Sequence, residues 1–345
     1  MSNISSTTES QIHIALSPWD LTDDYNRHAG VTMLSALEHC SQIVTIHLLY
    51  DSKLSVGKER EERNNKSYYQ QIAERYDCEL KYHHVELPDW ISNVPGVKKW
   101  TPGSLMRLYL PDLLPNIEKI LYLDCDMVIN TDLKELWTTP LGDEYLAAVP
   151  DSTRFGFERK RERYYRLKNI PQEDYFCSGI LLLNLRKLRD RNHPLSQTTL
   201  SYLQENKDMP FPDQDLLNWY CEGQYLKLDS KYNILSDRID ATNYIDDGVI
   251  HYAGRYKPWK AYLGDIDDLY WKFLLQTPWC NDKENILRYV RDAPDISKCF
   301  TIFPKYVLAL RKLGYGNRVK NLITLIIEMI QTLVVEGFDF LKRTI

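Results

Sequence analysis

Two carboxylates separated by a single residue, Asp124 and Asp126, are the side chains in this sequence best suited to binding a metal ion. They follow the apolar run at residues 120–123, whose composition is typical of a strand buried on both faces. In an open α/β sheet, ligands bind beyond the carboxyl ends of the strands, which is where both carboxylates would lie. Two negative charges this close repel each other, and a divalent cation would neutralise them. Because Asp-x-Asp also occurs by chance in solvated loops, the pair alone does not decide the question.

A second group of residues suited to a charged ligand lies in the stretch 249–259. His251 ends a short apolar run, Gly254 allows close approach of the backbone, and Lys257 offers a mobile positive charge suited to phosphate. A lone histidine is more often structural than a ligand, so the stretch becomes informative only together with the acidic pair.

A third acidic group, Asp213 and Asp215 with Gln214 between them, follows Pro212 at a predicted helix start. The helix dipole favours carboxylates in the first turn, so both aspartates could simply cap the helix. Before this helix, Gly179 opens a predicted buried strand at a point where backbone could approach a ligand.

The order of predicted elements indicates an α/β protein with a mostly parallel central sheet. Apolar periodicity predicts strands at 12–18, 43–50, 80–85, 120–123, 145–150 and 180–185, and helices at 28–40, 58–76, 102–114 and from 211. The first strand is not followed by Gly-x-Gly-x-x-Gly, and the sequence has no Gly-Lys-Ser/Thr phosphate loop, so both of those nucleotide-binding fingerprints are absent.

Composition indicates an ordinary globular protein of a reducing compartment. Over 345 residues, the net charge of −5 gives no reason to expect nucleic-acid binding. The 7 cysteines are scattered without a Cys-x-x-Cys pair, which argues against a disulfide framework and a zinc site. Residues 1–10 are polar, are expected to be disordered and do not resemble a signal peptide, and no apolar run reaches the length of a bilayer span. We therefore expect a cytoplasmic protein.

Two further stretches keep alternative interpretations. The basic, tyrosine-containing segment 154–168 is either a solvated helix face or a loop that covers an acidic or phosphorylated acceptor. The apolar stretch 321–336, flanked by basic residues, predicts a helix that either lies in the membrane interface on the inner face or packs on its own domain or a second copy.

Six motifs in this order resemble glycosyltransferase family 8, which includes bacterial lipooligosaccharide galactosyltransferases and glycogenin. The resemblance covers roughly residues 11–265. The motifs are Thr22-Asp23-Asp24-Tyr25, Arg107-Leu108, Leu123-Asp124-Cys125-Asp126, Ser178-Gly179-Ile180-Leu181-Leu182-Leu183-Asn184, Asp213-Gln214-Asp215, and His251-Tyr252-Ala253-Gly254 with Lys257-Pro258-Trp259. The family fold implies a single nucleotide-binding domain of the GT-A type at 11–265, followed by a helical C-terminal region at 266–345.

The resemblance implies a retaining transferase that moves galactose or glucose from a UDP-sugar to a glycan acceptor, for example in bacterial lipopolysaccharide synthesis. By motif position, Asp124, Asp126 and His251 would hold Mn²⁺. Asp213 and Gln214 would lie beside the donor sugar, with Gln214 nearest the anomeric carbon. The remaining positions would bind the nucleotide sugar: Asp23, Asp24, Tyr25, Arg107, Cys125, Gly254 and Lys257.

The implied ligands agree with the expected chemistry. Two carboxylates and an imidazole suit Mn²⁺ better than Mg²⁺, which prefers oxygen ligands. Retention ordinarily suggests a carboxylate nucleophile, but the amide of Gln214 is a poor one, which favours front-face displacement with the departing phosphate accepting the acceptor's proton. Asp213 or Asp151 could instead bind donor or acceptor hydroxyls.

The sequence departs from the family pattern at two places. The first loop is longer than usual at residues 17–21, which leaves open whether Asp20 or Asp23 meets the uracil. Cys177 stands where the family usually has asparagine, close to the expected donor sugar.

Two other functions compete with this one. A sugar nucleotidyltransferase would need a glycine-rich loop after the first strand, and a non-catalytic UDP-sugar-binding protein would not be expected to retain an intact metal set.

Overall fold

The computed structural model describes residues 11–19, 24–51, 59–151, 175–236, 247–254, 257–259 and 265–280. Several features predicted from the sequence lie outside these residues and stay predictions. They are the N-terminal residues 1–10, Asp20 and Asp23, the basic segment 154–168, the apolar stretch 321–336 and most of the C-terminal region that starts at 266.

Within the described residues, ten strands form two sheets. The strands are β1 (Gln11–Leu16), β2 (Ile43–Tyr50), β3 (Glu79–His84), β4 (Lys119–Leu123), β5 (Met127–Asn130), β6 (Leu146–Pro150), β7 (Phe176–Asn184), β8 (Leu226–Lys227), β9 (Ile234–Leu235) and β10 (Gly248–His251).

The larger sheet has seven described strands in the order β3-β2-β1-β4-β7-β6-β8. β3, β2, β1 and β4 run parallel to one another, and β8 runs parallel to β6, whereas β7 is antiparallel to both β4 and β6. The smaller sheet has the described order β5-β10-β9, with β10 antiparallel to β5 and parallel to β9. The prediction of an α/β fold with a mostly parallel sheet is confirmed.

The described helices cover both faces of the large sheet. They are α1 (Asp24–His39), α2 (Glu59–Arg75), α3 (Pro95–Trp100), α4 (Leu110–Leu113), α5 (Leu133–Thr138), α6 (Leu185–Arg189), α7 (Leu195–Glu205), α8 (Pro212–Cys221) and α9 (Asp265–Leu274), with 3₁₀ turns at Asp89–Asn93, Pro102–Tyr109, Ser230–Tyr232 and Pro278–Cys280. Among these residues, no helix combines the length and apolar character needed to cross a bilayer.

The core has two halves because alternate residues of each central strand face opposite sides of the sheet. In β4, Leu121 and Leu123 belong to the half of the core that contains residues of α1, α2 and α9, whereas Ile120 and Tyr122 belong to the half that contains residues of α7 and α8. All four side chains are at most 1% exposed. Burying each such side chain stabilises the fold by about 1.5–3 kcal/mol, which explains why this run is apolar on both faces.

Most predicted elements are present, with shifts of a few residues at their ends, and one prediction of helix type was wrong. Residues 102–114 form a 3₁₀ helix, Pro102–Tyr109, followed by the short α4. Pro111 removes a backbone donor near the end of this stretch and therefore interrupts a continuous α-helix. α1 begins at Asp24, four residues before the predicted start at His28.

Candidate functional site

The turn between β4 and β5 positions the acidic pair. β4 ends at Leu123, and the chain turns through residues 124–126 before β5 begins in the other sheet. The backbone N–H of Asp124 donates to Gly179 O at 2.8 Å, which extends the pairing of β4 with β7 by one residue. The N–H of Tyr252 donates to Asp126 O at 2.9 Å and ties the turn to the end of β10. Both carboxylates therefore lie where the two sheets meet, beyond the carboxyl end of β4.

His251 reaches the acidic pair because β10 pairs with β5. In this antiparallel register His251 lies opposite Met127, the residue that follows Asp126. Its Nε2 atom is 3.2 Å from Asp126 Oδ1 and 3.7 Å from Asp124 Oδ2. The pairing of two strands that are distant in sequence thus brings together the three residues expected to bind a metal.

The donor set of this cluster fits a divalent cation. One ligand atom from each of Asp124, Asp126 and His251 lies within 4.8 Å of the other two. Carboxylate oxygens with one imidazole nitrogen are a donor set suited to Mn²⁺ and to other first-row divalent metals. The three side chains are 25%, 13% and 5% exposed. A ligand can therefore reach the group, while its partial burial strengthens the electrostatic attraction between the carboxylates and a cation.

Gly179 gives the ring of His251 the space that it occupies. A Cβ atom on Gly179 would lie 2.3 Å from His251 Cε1 and 2.7 Å from its Nδ1, distances that real Cβ contacts do not show. A close approach at Gly179 is therefore present, but it is made by a side chain of the protein, and the approach to a ligand expected from the sequence stays a prediction.

Arg107 contacts Asp124 of the acidic pair with a buried guanidinium group that is 2% exposed. It donates from Nη2 to Asp124 Oδ1 at 2.7 Å, from Nη1 to Ser178 O at 2.5 Å and from Nε to Ser104 O at 2.7 Å. Its Nη1 is also 3.4 Å from Asp213 Oδ2. The guanidinium thus links both acidic groups, and its role in binding the donor stays a prediction.

Lys257 contacts the other carboxylate. Its Nζ donates to Asp126 Oδ2 and, at 2.6 Å, to Tyr252 O. Burial would raise the pKa of Asp126, but the charges of Lys257 and His251 outweigh it and hold this pKa well below its usual range. Burial would lower the pKa of His251, but Asp126 raises it to about 10, with a smaller contribution from Cys177. The protein thus balances the charge of Asp126 with its own cations.

The pKa of Asp124 is shifted in the opposite direction from that of Asp126. Burial is the largest effect and raises the pKa of Asp124, with a further contribution from Asp126, while Arg107 opposes the increase. The two carboxylates therefore differ in the ease with which they ionise, as expected for like charges held close together.

The N-terminal turn of α8 brings Asp213 and Gln214 to the same place. Gln214 Oε1 accepts from the Ser178 N–H at 3.0 Å, and its Nε2 donates to Asp151 Oδ2 at 3.1 Å. Ser178 Oγ donates to Asp213 Oδ2 at 2.7 Å. Gln214, which is 8% exposed, is therefore held at both ends of its amide, while Asp151 joins it from the end of β6.

Asp215 serves the helix rather than the site. Its Oδ2 accepts from the Phe211 N–H at 2.9 Å, and its Oδ1 accepts from Tyr175 at 2.6 Å. Of the two interpretations weighed for the acidic residues of this turn, capping therefore holds for Asp215, whereas Asp213 faces Arg107.

The residues expected at the nucleotide are described only in part. Tyr25 is half-buried and lies edge-on to Trp259, with ring centroids 6.3 Å apart. Asp24 begins α1, and Gly254 has a φ of +83°, a backbone conformation that favours glycine. The side chain of Cys125 packs in the apolar core. Their roles in binding UDP stay predictions.

Two residues that the sequence analysis missed contact the site. The Tyr122 hydroxyl donates to Asp124 Oδ1 at 3.3 Å and accepts from Ser17 Oγ at 2.6 Å. Asn233 Oδ1 is 2.9 Å from His251 Nδ1. Tyr122 is two residues from Asp124 in extended chain, which is a readable signal, whereas no local pattern distinguishes Asn233.

Comparisons with known proteins identify the family of this chain. The family model described as glycosyl transferase family 8 matches residues 18–262. A putative glycosyltransferase of Haemophilus influenzae is 27% identical over 68% of this chain and 70% of the relative. A lipopolysaccharide 1,2-glucosyltransferase of Escherichia coli K12 is 29% identical over 63% of this chain and 68% of the relative.

A solved structure supports the fold. The galactosyltransferase LgtC, determined in complex with donor and acceptor sugar analogues, has a TM-score of 0.61 and 22% sequence identity, covering 78% of this chain and 96% of LgtC. At this identity the likeness concerns the fold, which is of the GT-A type. Because the family model covers most of the chain, the protein belongs to glycosyl transferase family 8.

Proposed function

We propose that this glycosyltransferase transfers a hexose, galactose or glucose, from a UDP-sugar to a glycan acceptor with retention of configuration and with Mn²⁺ in its site. The observation that carries the proposal is the convergence of Asp124, Asp126 and His251 beside Lys257. The similarity to a lipopolysaccharide glucosyltransferase supports a bacterial surface glycan as the acceptor.

Asp124, Asp126 and His251 would hold the metal. When bound, Mn²⁺ would supply positive charge to offset the negative charge that builds on the departing diphosphate. Lys257 would add a second cation at the same edge of the site, since its Nζ already lies against Asp126. Arg107 would keep Asp124 ionised and in place, because its buried guanidinium pairs with that carboxylate.

The amide of Gln214 supports a displacement without a covalent intermediate. An amide is a poor nucleophile, and its Oε1 is already engaged by the Ser178 N–H. The bond from the anomeric carbon to the phosphate oxygen would break on the face where the acceptor oxygen forms its new bond. The acceptor's proton would pass to the departing phosphate, which leaves UDP as the product.

Asp151 and Asp213 would bind sugar hydroxyls on either side of Gln214. Asp213 is held by Ser178 and Arg107, and Asp151 accepts from Gln214. Carboxylates fixed in this way can accept hydrogen bonds from hydroxyls without further ordering, which is the arrangement that positions a substrate.

The proposal is tested by measuring UDP release from a panel of UDP-sugars, with Mn²⁺ and with a chelator, using the native chain and two variants. Asp126→Asn removes one metal ligand, whereas Asp143→Asn makes the same change at an exposed loop residue. We expect metal-dependent release from one donor, a loss of at least about 100-fold in Asp126→Asn, and a native rate in Asp143→Asn.

Two outcomes would contradict the proposal. Release that is equally fast with the chelator would exclude the metal role. Binding of UDP-sugars without release or transfer, with lipid-linked glycan acceptors also present, would indicate a binding protein that does not turn its ligand over.

A further inference from the structure

The imidazole of His251 is engaged through both of its nitrogens. Nε2 faces the carboxylates of Asp126 and Asp124, whereas Nδ1 lies 2.9 Å from Asn233 Oδ1. An amide oxygen only accepts hydrogen bonds, so the Nδ1 atom that faces it carries a proton. Without a metal, Asp126 keeps Nε2 protonated as well. When the Nε2 proton leaves, the ring is neutral with its remaining proton on Nδ1, and the lone pair of Nε2 then faces the two carboxylates.

Asn233 is placed by the smaller sheet. It follows the 3₁₀ turn Ser230–Tyr232 and directly precedes β9, which pairs with β10 so that Leu235 lies beside His251. Asp229 caps the turn by accepting from the Lys231 N–H at 2.8 Å. Asn233 and His251 are 7% and 4% exposed, so water has little access to their hydrogen bond. Both ends of this bond are therefore fixed by regular backbone structure.

Gly179 limits the ring from another direction. Its Cα lies so close to Cε1 and Nδ1 of His251 that a Cβ atom could not be accommodated. The ring thus has little room to slide towards β7, and the bond to Asn233 determines how it is turned. Cys177 is a further neighbour of His251, but a thiol is a much weaker hydrogen-bond partner than an amide oxygen.

We propose that Asn233 is a positioning residue for the metal site, because its side-chain oxygen keeps Nδ1 of His251 protonated and presents Nε2 as the metal ligand. The inference rests on the metal site of the proposed function. Hydrogen-bond partners of metal-ligating histidines fix the tautomer and the ring orientation, and their loss typically weakens metal binding by about 10–100-fold. Asn233 would thus contribute to metal affinity without touching the metal or the substrates.

Three variants distinguish this role from simple packing. Asn233→Leu has a similar volume but no acceptor, whereas Asn233→Asp keeps an oxygen at the same place. Asn184 is the matched control, since it is 8% exposed and lies at the far end of β7, where its Oδ1 caps α6. Asn184→Leu should lower the thermal midpoint while leaving the metal site unchanged.

The measurement is the affinity of the full chain for Mn²⁺ alone, by isothermal titration and by electron paramagnetic resonance, together with the thermal midpoint. We expect Asn233→Leu to weaken Mn²⁺ binding about 10–100-fold and Asn233→Asp to remain within a few-fold of the native chain. Equal affinity of Asn233→Leu and the native chain, or an equal loss in Asn184→Leu, would overturn the positioning role.

The native chain provides a test that depends on no variant. With Zn²⁺ as a diamagnetic substitute, ¹⁵N spectra of histidine-labelled protein should show a proton on Nδ1 of His251, and a proton on Nε2 would overturn the inference. The result also separates the two proposals. If Asp126→Asn abolishes Mn²⁺ binding but Asn233→Leu does not, only the positioning role fails. If the native chain binds no Mn²⁺, the metal site itself is wrong.

Discussion

Arg107 donates a 2.7 Å hydrogen bond to Asp124 from a guanidinium group that is 2% exposed. The same group donates to the backbone oxygens of Ser104 and Ser178, so it joins the 3₁₀ helix, the acidic turn and β7 at one point. The guanidinium reaches these three acceptors from three separate nitrogens of a rigid plane, which the single nitrogen of a lysine cannot reproduce. Arg107 thus stabilises the fold and orients the carboxylate of Asp124 with one set of bonds.

Arg107→Met should therefore destabilise the protein by about 3–5 kcal/mol, because it leaves the carboxylate of Asp124 and two backbone oxygens without their partner. The measurement is the free energy of unfolding in urea. Arg186 is the control, since its side chain is 65% exposed and its ion pair with Glu118 spans 3.9 Å. Arg186→Met should change stability by less than about 0.5 kcal/mol, and an equal effect of both changes would contradict the role of Arg107.

Gly179→Ala should impair the metal site through His251. The added Cβ would lie 2.3 Å from Cε1 of His251, so the ring or β7 must move. We expect a loss of about 1–3 kcal/mol in the free energy of unfolding and a clear weakening of Mn²⁺ binding. Both are measured on the same preparation, by urea denaturation and by isothermal titration.

The control for this change is Gly142→Ala. Gly142 has a φ of +55°, but nothing lies within 4 Å of the position of its added Cβ. Its substitution should cost about 1 kcal/mol through backbone strain and leave Mn²⁺ binding unchanged. If Gly179→Ala resembled Gly142→Ala in metal affinity, the close packing on His251 would have no bearing on the site.

Gln214→Glu should place two carboxyl groups against each other, since Gln214 Nε2 now donates to Asp151 Oδ2 at 3.1 Å. The new side chain would still accept from the Ser178 N–H, so repulsion from Asp151 is the main change. Adding Asp151→Asn to this variant should restore a donor between the two groups and recover about 1 kcal/mol of the free energy of unfolding. A double-mutant cycle in urea measures this coupling, and strictly additive effects would show that the two side chains do not interact.

The local pattern of the sequence was sufficient to predict the acidic turn and the strand before it, whereas the expectation for His251 depended on the resemblance to the family. An apolar run as short as residues 120–123, ending in polar residues, is typical of a strand that is buried on both faces. The helix expected at 102–114 was wrong because interior proline and a run of 3₁₀ turns decide the backbone there. Local propensity does not distinguish 3₁₀ from α where tertiary packing, here around buried Arg107, determines the conformation.

The contact between Asn233 and His251 could not be predicted from the sequence. It depends on the pairing of β9 with β10, and β9 has two residues, too few for a periodic signal. Gln214 is a similar case: its motif predicted a place near the donor, but only the structure shows its amide held between Ser178 and Asp151. A role that depends on long-range register can be recognised only from the fold, whereas the residue types of the candidate metal site can be recognised in the sequence.

A row of three histidines across β1, β2 and β3 should make the stability of the protein depend on pH. His13 Nδ1 lies 3.1 Å from His47 Nε2, and His47 Nδ1 lies 2.9 Å from His83 Nε2. Burial, with the nearby imidazoles and Lys81, lowers the pKa of His47 to about 3, and burial also lowers the pKa of both His13 and His83. In the folded protein the row therefore stays neutral at a pH where histidines of an unfolded chain are protonated.

The sign of the effect follows from these shifts. The unfolded chain takes up protons near pH 6.5, whereas folded His47 does so only near 3, so its contribution is complete above about pH 6.5 and is lost as the pH falls towards 3. Between pH 7 and 4 this amounts to about 3 kcal/mol for His47.

His47→Gln keeps a donor and an acceptor without titrating. Between pH 7 and 4, the free energy of unfolding of this variant should therefore fall by about 3 kcal/mol less than that of the native chain. Urea denaturation at pH 7, 5 and 4 measures the difference, with His193→Gln at an exposed position as the control. Equal pH dependence of His47→Gln and the native chain would show that the buried row does not set the acid sensitivity of this fold.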